Sequence, residues 1–144
     1  MICTFIGHKD SPSSIKPELK ATINNLISEG VKTFYVGNNG NFDYMVQSIL
    51  MEMKLKEYDI DFFVAISYIG EKSICANQQH TVYPYGLEKT PPRFAISKRN
   101  DWLVSKSQII VVYVKNHFSN SHKWFQKAKK KGLRIINLFH SDMQ

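Results

Sequence analysis

Long apolar runs and cysteines are both scarce in this sequence. No stretch approaches the roughly 18 uninterrupted apolar residues of a membrane-spanning helix, so we expect no membrane association. The two cysteines, Cys3 and Cys75, are too few for a disulfide framework and lack the spacing of a metal site. Because a strand-like run at residues 2–6 follows Met1 directly, we expect no signal peptide and predict a cytoplasmic location.

Familiar catalytic and cofactor motifs are also missing. The chain has neither the G-x-G-x-x-G of dinucleotide-binding domains nor the Lys-Ser/Thr pair of a P-loop. No nucleophile, base and orienting residue stand at a convincing spacing, and no His, Cys, Asp or Glu group has metal-ligand spacing. The sequence therefore identifies no catalytic residue, and we expect neither a metal nor a cofactor.

Strand-like and helix-like patterns alternate along the chain. Apolar runs predict five strands, at residues 2–6, 33–36, 60–66, 108–114 and 133–138. Helical periodicity predicts helices at residues 15–27, 42–53, 93–105 and 121–131. Residues 67–92 show no period, which predicts a long loop. This order predicts one α/β domain over residues 1–144, a Rossmann-like open, mostly parallel five-stranded sheet with helices on both faces.

A glycine-containing loop joins the second predicted strand to the strongest helical pattern, at residues 37–43 (GNNGNFD). Glycine permits a sharp turn and a close approach to a ligand, and a helix N-terminus favours an anion. We predict that Gly37, Asn38, Asn39, Gly40 and Asp43 bind phosphate and ribose, with Asp43 accepting hydrogen bonds from hydroxyl groups. The alternative is a simple turn, because Asn favours turns and Asp is stable in a first helical turn.

Other predicted ligand-binding residues lie at the ends of neighbouring strands. Parallel sheets bind ligands at the carboxyl ends of their strands, which places Gly7, His8 and Lys9 after the first strand and Asn116 after the fourth. Arg99 could make a bidentate contact with phosphate across the cleft. The alternatives are a plain turn at Gly7, an exposed loop histidine, a surface lysine, and an Arg99 side chain paired with Asp101 or another carboxylate.

The formal net charge is +7, and much of the excess lies late in the chain. The residues concerned are Lys127, Lys129, Lys130, Lys131 and Arg134. Charge runs usually form the solvated face of a helix, which is the favoured interpretation. A nucleic-acid interface is the alternative, although no line of aromatic residues accompanies these lysines.

The long loop carries aromatic and acidic side chains that could face a ligand. Tyr68, Tyr83 and Tyr85 could cover a base, and Glu71 and Glu88 could supply a carboxylate. A packed loop without a ligand explains the same residues. Trp102 is predicted to lie in the core or at an interface rather than to stack on a base.

Several segments resemble, in order, those of small bacterial proteins of the SLOG superfamily. They are residues 4–10 (TFIGHKD), 34–43 (FYVGNNGNFD), 83–88 (YPYGLE), 91–96 (PPRFAI) and 98–102 (KRNDW). The superfamily is Rossmann-like and is related to the LOG phosphoribohydrolases and to DNA-processing protein A. The resemblance implies a nucleotide or ADP-ribose-type ligand over Gly7, Gly37, Gly40 and Asp43, with Arg99 nearby.

The chain departs from that pattern after the fourth predicted strand. Relatives usually carry a Gly-Gly element there, whereas residues 115–122 (KNHFSNSH) contain no glycine. The LOG-type P-G-G-x-G-T-x-x-E element, with its catalytic glutamate, is also absent. These departures weigh against phosphoribohydrolase activity and favour a binding protein over an enzyme.

The resemblance implies a sensor or sequestering protein for an ADP-ribose-like or cyclic nucleotide signal, in phage defence or in counter-defence. An N-glycosidase or phosphoribohydrolase is the alternative, and it would need a carboxylate from Glu71, Glu88 or Asp43. A further alternative is single-stranded DNA binding through the late basic helix. We also expect a homo-oligomer, such as a dimer, because such domains commonly form one.

Overall fold

A computed structural model describes residues 1–67, 81–84, 86–115 and 120–140. The predicted fold class is confirmed, because the described residues form an α/β arrangement with one all-parallel sheet. The strands are β1 (Ile2–Gly7), β2 (Thr33–Val36), β3 (Asp61–Ala65), β4 (Thr81–Val82), β5 (Ile109–Tyr113) and β6 (Arg134–Asn137). The helices are α1 (Lys16–Ser28), α2 (Asn41–Leu55), α3 (Pro92–Lys106) and α4 (Asn120–Lys131).

Across the described residues the sheet has six strands in the order β4-β3-β2-β1-β5-β6, so the prediction of five strands was one short. The additional strand, β4, lies in the segment that was predicted to be a loop. In the described part of the chain it pairs Thr81 with Val64 and Val82 with Ala65, at the edge of the sheet. A strand of two residues is too short to show an alternating pattern, which is why the sequence did not reveal it.

Each face of the sheet is covered by two helices. On the first face, α1 and α2 bury Leu19, Ile23, Phe42 and Val46 against the strands. On the second face, Trp124 of α4 packs with Ile110 and the other apolar residues of that side of β5. All five residues of β5 are buried, because the strand lies inside the sheet and both of its faces are covered.

The α2 stripe shows how the pattern produces this packing. Its apolar residues recur at helical spacing and are all buried, namely Phe42, Met45, Val46, Ile49, Leu50 and Met53. Burying such side chains stabilises the fold by about 1.5–3 kcal/mol each, which fixes the orientation of the helix. Its N-terminus is therefore held at the carboxyl end of β2, where the predicted ligand loop lies.

The strand order creates a switch point beside β1. From β1 the chain proceeds to β2 and β3 on one side, and it later returns to β5 and β6 on the other. The connections leave β1 and β5 in opposite directions, so a crevice opens outside the carboxyl ends of these strands. Pairing of Gly7 with Tyr113 brings the two strand ends level with each other.

None of the helices in the described segments has the length and apolar character that a bilayer span requires. Among the same residues, no group of His, Cys, Asp and Glu side chains is arranged to hold a metal ion. Cys3 is fully buried in β1, and burial raises the pKa of its thiol well above the ordinary value. Cys75 lies outside the described residues.

Candidate ligand-binding cleft

A cleft of about 560 Å³ lies at the switch point. The end of β1, the loop after β2, the first turn of α2, and the helices α3 and α4 contribute its walls. Of the predicted ligand-binding residues, the cleft brings together Gly7, His8, Lys9, Gly37, Asn39, Asp43 and Arg99. Asn38 and Gly40 lie directly behind this surface and hold it in place, as their contacts show below.

The loop between β2 and α2 is fixed by hydrogen bonds from α2 itself. Gln47 Nε2 donates to the Gly37 carbonyl at 2.9 Å, and the Tyr44 hydroxyl donates to the Asn38 carbonyl at 3.3 Å. The Asn39 amide in turn donates to Asp43 Oδ2 at 2.9 Å. Because successive loop residues are held from the helix, the loop forms a defined wall rather than a free turn.

Gly37 is at the centre of this wall. A Cβ atom there would lie 2.9 Å from Asp43 Oδ2 and 3.0 Å from Arg99 Nη2. Both charged groups therefore border the space that the absent side chain leaves, and only glycine lets them approach the backbone so closely. The sequence predicted a close approach of this backbone to a ligand, and the atoms that approach it in the structure belong to the protein.

Gly40 is required by its backbone conformation and by its neighbour. Its φ is +154°, and a Cβ atom would lie 2.5 Å from the Lys9 Cα. The chain is tied at the same place by a hydrogen bond of 2.8 Å from the Asn41 amide to the Lys9 carbonyl. Gly40 therefore lets the loop after β1 pack directly on the start of α2.

Gly7 has a packing role that the sequence did not suggest. A Cβ atom at Gly7 would lie 2.5 Å from Cγ of Phe42, so the glycine makes room for the aromatic ring at the start of α2. Its backbone also lines the cleft. The absence of a side chain at Gly7 therefore makes room for the buried Phe42 ring and also leaves the backbone open to the cleft.

Arg99 is the most deeply buried cation in the cleft, with 2% of its surface exposed. Its Nη1 donates to Asn38 Oδ1 at 3.1 Å, and its Nη2 donates to Asn100 Oδ1 at 3.3 Å. Within the described segments, Arg99 Nε and Asn38 Nδ2 have no hydrogen-bond partner despite their burial. The proposed pairing of Arg99 with Asp101 is wrong, because Asp101 pairs with Lys127 at 2.7 Å.

Asp43 lies half-buried in the first turn of α2. Burial raises the pKa of its carboxyl above the ordinary value, although the Arg99 charge and the Asn39 hydrogen bond both act to lower it. Arg99 directs its own hydrogen bonds to Asn38 and Asn100 rather than to this carboxylate. Asp43 thus keeps unused acceptor positions, since a carboxylate can accept about four hydrogen bonds.

His8 links the ends of β1 and β5. Its Nε2 accepts a hydrogen bond from the Lys115 backbone N–H at 3.0 Å, and its ring packs edge-on against Tyr113. The neutral ring therefore carries its proton on Nδ1. Burial lowers the pKa of His8 and so does Lys115, while Asp10 acts to raise it. His8 is half-buried rather than an exposed loop histidine, and its accepted hydrogen bond and lowered pKa both favour the neutral ring over a cationic phosphate ligand.

The outer rim of the cleft is rich in positive charge. The exposed Lys9 from the β1 loop, Arg93 from α3 and Lys123 from α4 all line it, opposed by the exposed Asp10. Arg93 lies over the Phe94 ring at 4.7 Å, and Lys123 lies over Trp124 at 5.0 Å. The sequence did not identify Arg93 or Lys123, because only the tertiary packing of α3 and α4 brings these helix starts to the cleft.

The remaining predicted positions divide into three groups. Asn116, Tyr68, Glu71 and Tyr85 lie outside the described residues. Glu88 is exposed in a short 3-10 turn (Leu87–Lys89), and neither it nor Tyr83 lines the cleft. Trp102 packs on Tyr35 with ring centroids 5.2 Å apart and does not line the cleft, in agreement with its predicted packing role.

One of the basic side chains of α4, Lys127, makes contacts within the protein, and three others are exposed. Lys127 pairs with Asp101 and also lies 4.7 Å above the Trp124 ring. Lys129, Lys130 and Lys131 occupy the last, exposed turn of the helix. Cations near a helix C-terminus are favourable for the helix dipole, so this run has a structural explanation without a nucleic acid.

Comparison with known proteins adds no assignment to this geometry. No family model matches the chain, and no curated protein shows significant similarity to its sequence.

Proposed function

We propose that this chain binds a phosphate-bearing, nucleotide-type small molecule in the cleft at the switch point. The observation that carries the proposal is the position of the cleft, at the carboxyl end of β1 and beside the loop after β2 and the first turn of α2. In open α/β sheets the crevice at the carboxyl ends of the strands beside a switch point is where ligands bind.

The charge distribution supports the same ligand class. Lys9, Arg93 and Lys123 line the outer rim, and their exposed side chains can reach a phosphate without first being desolvated. The exposed apolar side chain of Ile96 forms part of the same wall and suits the flat face of a base. A cleft with a cationic rim and an apolar wall fits a nucleotide better than it fits an inorganic anion.

We further propose membership of the SLOG superfamily and a role as a sensor or sequestering protein for a nucleotide signal, in phage defence or counter-defence. The motif resemblance supports both, and so does the meeting of residues from its first two segments, Gly7, Gly37 and Asp43, in one cleft. A homo-oligomer remains a prediction, which light scattering coupled to size-exclusion chromatography would test.

One observation favours a second candidate, a hydrolase of an N-glycosidic or phosphoribosyl bond. Asp43 combines a cleft position with a pKa that burial raises, a combination common among catalytic acids and bases. Asp10 is the other carboxylate that lines the described cleft, and it is exposed on the rim. Among the described residues, Asp43 is therefore the carboxylate on which hydrolysis would depend.

A thermal-shift screen tests the proposal directly. The panel contains AMP, ADP, ADP-ribose, NAD, cyclic ADP-ribose isomers and cyclic oligonucleotides, and each mixture is analysed afterwards by chromatography. A ligand at about 100 times its Kd stabilises the folded state by about 2.7 kcal/mol, which the screen detects. Binding of an intact ligand supports a sensor or sequestering protein, release of a base supports the hydrolase, and no shift with any compound refutes the proposal.

Two variants of the same helix separate binding in the cleft from general attraction to a basic surface. Lys123→Ala removes a charge from the cleft rim, whereas Lys130→Ala removes one from the exposed last turn of α4. We expect Lys123→Ala to weaken nucleotide binding about 5-fold to 10-fold, close to 1 kcal/mol, and Lys130→Ala to leave it unchanged. Equal losses would indicate non-specific attraction, and binding of single-stranded DNA would then be measured at two salt concentrations.

A further inference from the structure

We infer that the inner end of the cleft, where Asp43 and Arg99 meet beside Gly37, binds the 2′- and 3′-hydroxyl groups of a ribose. The protein would thereby select ribonucleotides over 2′-deoxyribonucleotides. This inference rests on the proposed function and specifies which part of the nucleotide lies deepest.

The first half of the subsite is an acceptor. Asp43 Oδ2 accepts one hydrogen bond, from the Asn39 amide, and the carboxylate faces the cleft with further acceptor positions. Both ribose hydroxyls can donate to one carboxylate, because its two oxygens match the spacing of neighbouring hydroxyl groups. A 2′-deoxyribose offers only one of these two donors.

The second half is a buried donor without an acceptor. Arg99 lines the cleft, yet among the described residues no atom accepts a hydrogen bond from its Nε. Its two other nitrogens are held by Asn38 and Asn100, so the guanidinium cannot turn to satisfy Nε elsewhere. Buried donors are almost always paired in folded proteins, so this one marks a position where the described residues supply no acceptor.

A hydroxyl pair fits this combination better than a phosphate. A hydroxyl donates one hydrogen bond and accepts others, so it can serve Asp43 and Arg99 at once. A phosphate would meet the Asp43 carboxylate, and like charges in a buried place repel each other strongly. The rim, by contrast, holds three exposed cations, Lys9, Arg93 and Lys123, and suits the phosphates.

The close packing around Gly37 makes the two groups a single subsite. A Cβ atom at this position would lie within 3.0 Å of both Asp43 Oδ2 and Arg99 Nη2, so the two side chains border the same small space. The hydrogen bonds from Gln47 and Tyr44 fix the loop that carries this space. A preorganised pair discriminates well, because a missing hydroxyl leaves a hydrogen-bonding position of the pair unfilled.

Isothermal titration of the wild-type protein with four pairs of probes tests the inference. The probes are ADP, GDP, CDP and UDP, each compared with its 2′-deoxy counterpart. We expect the best ribonucleotide to bind about 10-fold to 100-fold more tightly than its 2′-deoxy form, the effect of losing a hydrogen bond to a charged group. Equal affinities for the two forms would overturn the inference while leaving the proposed function intact.

Matched variants locate the selectivity. Asp43→Asn is expected to reduce the ribo-to-deoxy ratio to less than about 5-fold, because a neutral amide accepts weaker hydrogen bonds and the ribo form, which donates two of them, loses more affinity than the deoxy form, which donates one. Lys123→Ala is expected to weaken both forms equally and so to preserve the ratio. A ratio that survives Asp43→Asn would overturn the assignment to Asp43, and failure of all eight probes to bind would instead count against the proposed function.

Discussion

Gly40→Ala tests how the cleft loop is built without requiring any ligand. Gly40 has φ of +154° and ψ of −178°, a backbone conformation essentially restricted to glycine. Forcing alanine into it costs about 1–3 kcal/mol. The new Cβ atom would also lie 2.5 Å from the Lys9 Cα, a backbone atom that cannot rotate away. Overpacking of this kind costs about 1–3 kcal/mol more.

The two contributions predict a loss of about 2–6 kcal/mol in the free energy of unfolding. For a domain of this size, that corresponds to a fall of roughly 6–20 °C in melting temperature. Urea unfolding followed by circular dichroism measures the free energy, and a thermal scan measures the melting temperature. The loss is a large part of the roughly 5–15 kcal/mol that stabilises a typical domain, so part of the population should be unfolded at moderate urea concentration.

Gly132→Ala is the matched control. Gly132 also has a positive φ, +82°, but a Cβ atom there would meet no atom within 4 Å. Only the left-handed backbone penalty of about 1–2 kcal/mol applies to it. If Gly40→Ala proves no more destabilising than Gly132→Ala, the inference that the loop after β1 packs directly on Gly40 is wrong.

Three further predictions concern the cleft. Gly37→Ala is expected to reduce nucleotide affinity at least about 10-fold by displacing Asp43 and Arg99, with less than about 2 kcal/mol lost in stability because both side chains can shift. Asp43→Asn should raise the melting temperature near neutral pH, because burial disfavours the carboxylate, and this gain should shrink as the pH falls through the raised pKa of the wild-type carboxyl. His8→Gln should flatten the fall in stability between about pH 7 and pH 5, because the fold lowers the pKa of His8 and protonation breaks its bond to the Lys115 amide.

Each of these predictions has a distinct contrary result. Unchanged nucleotide affinity in Gly37→Ala would mean that the ligand does not occupy the space beside this glycine. If the Asp43→Asn protein were less stable than wild type at every pH, the attraction between the Asp43 carboxylate and Arg99 would outweigh the cost of burying that carboxylate. An identical pH profile for His8→Gln would place the acid sensitivity in other groups.

The fold could be predicted because its elements are long enough to show their periods. The stripe that begins at Phe42 and the β-branched run of β5 repeat over several residues, and burial at those positions is what the pattern reports. The edge strand β4 and the 3-10 turn at Leu87–Lys89 are too short for any period. Both form through tertiary contacts, which a local pattern does not contain.

The candidate site could be predicted only in part. Gly37, Gly40 and Asp43 lie in one short segment, so the loop geometry was visible from neighbouring residues. Arg93 and Lys123 are 30 positions apart and reach the rim only because α3 and α4 pack side by side on the second face of the sheet. One signal did exist, since residues 98–102 (KRNDW) are unusually polar for a helix that covers a sheet.

The polar residues of the inner cleft do not follow from the needs of the fold. α3 packs on the sheet through Leu103 and Val104, yet it also buries Arg99 and Asn100, where an apolar residue would avoid the cost of an unpaired donor. An unmade hydrogen bond in a buried place costs about 1–3 kcal/mol. Asp43 adds a carboxylate that burial disfavours, on a loop that requires the strained Gly40. Residues that reduce stability and meet in one cleft are the pattern that functional sites show, since the fold alone gives no reason to retain them. A ligand that accepts a hydrogen bond from Arg99 Nε and donates to the Asp43 carboxylate would therefore stabilise the folded protein.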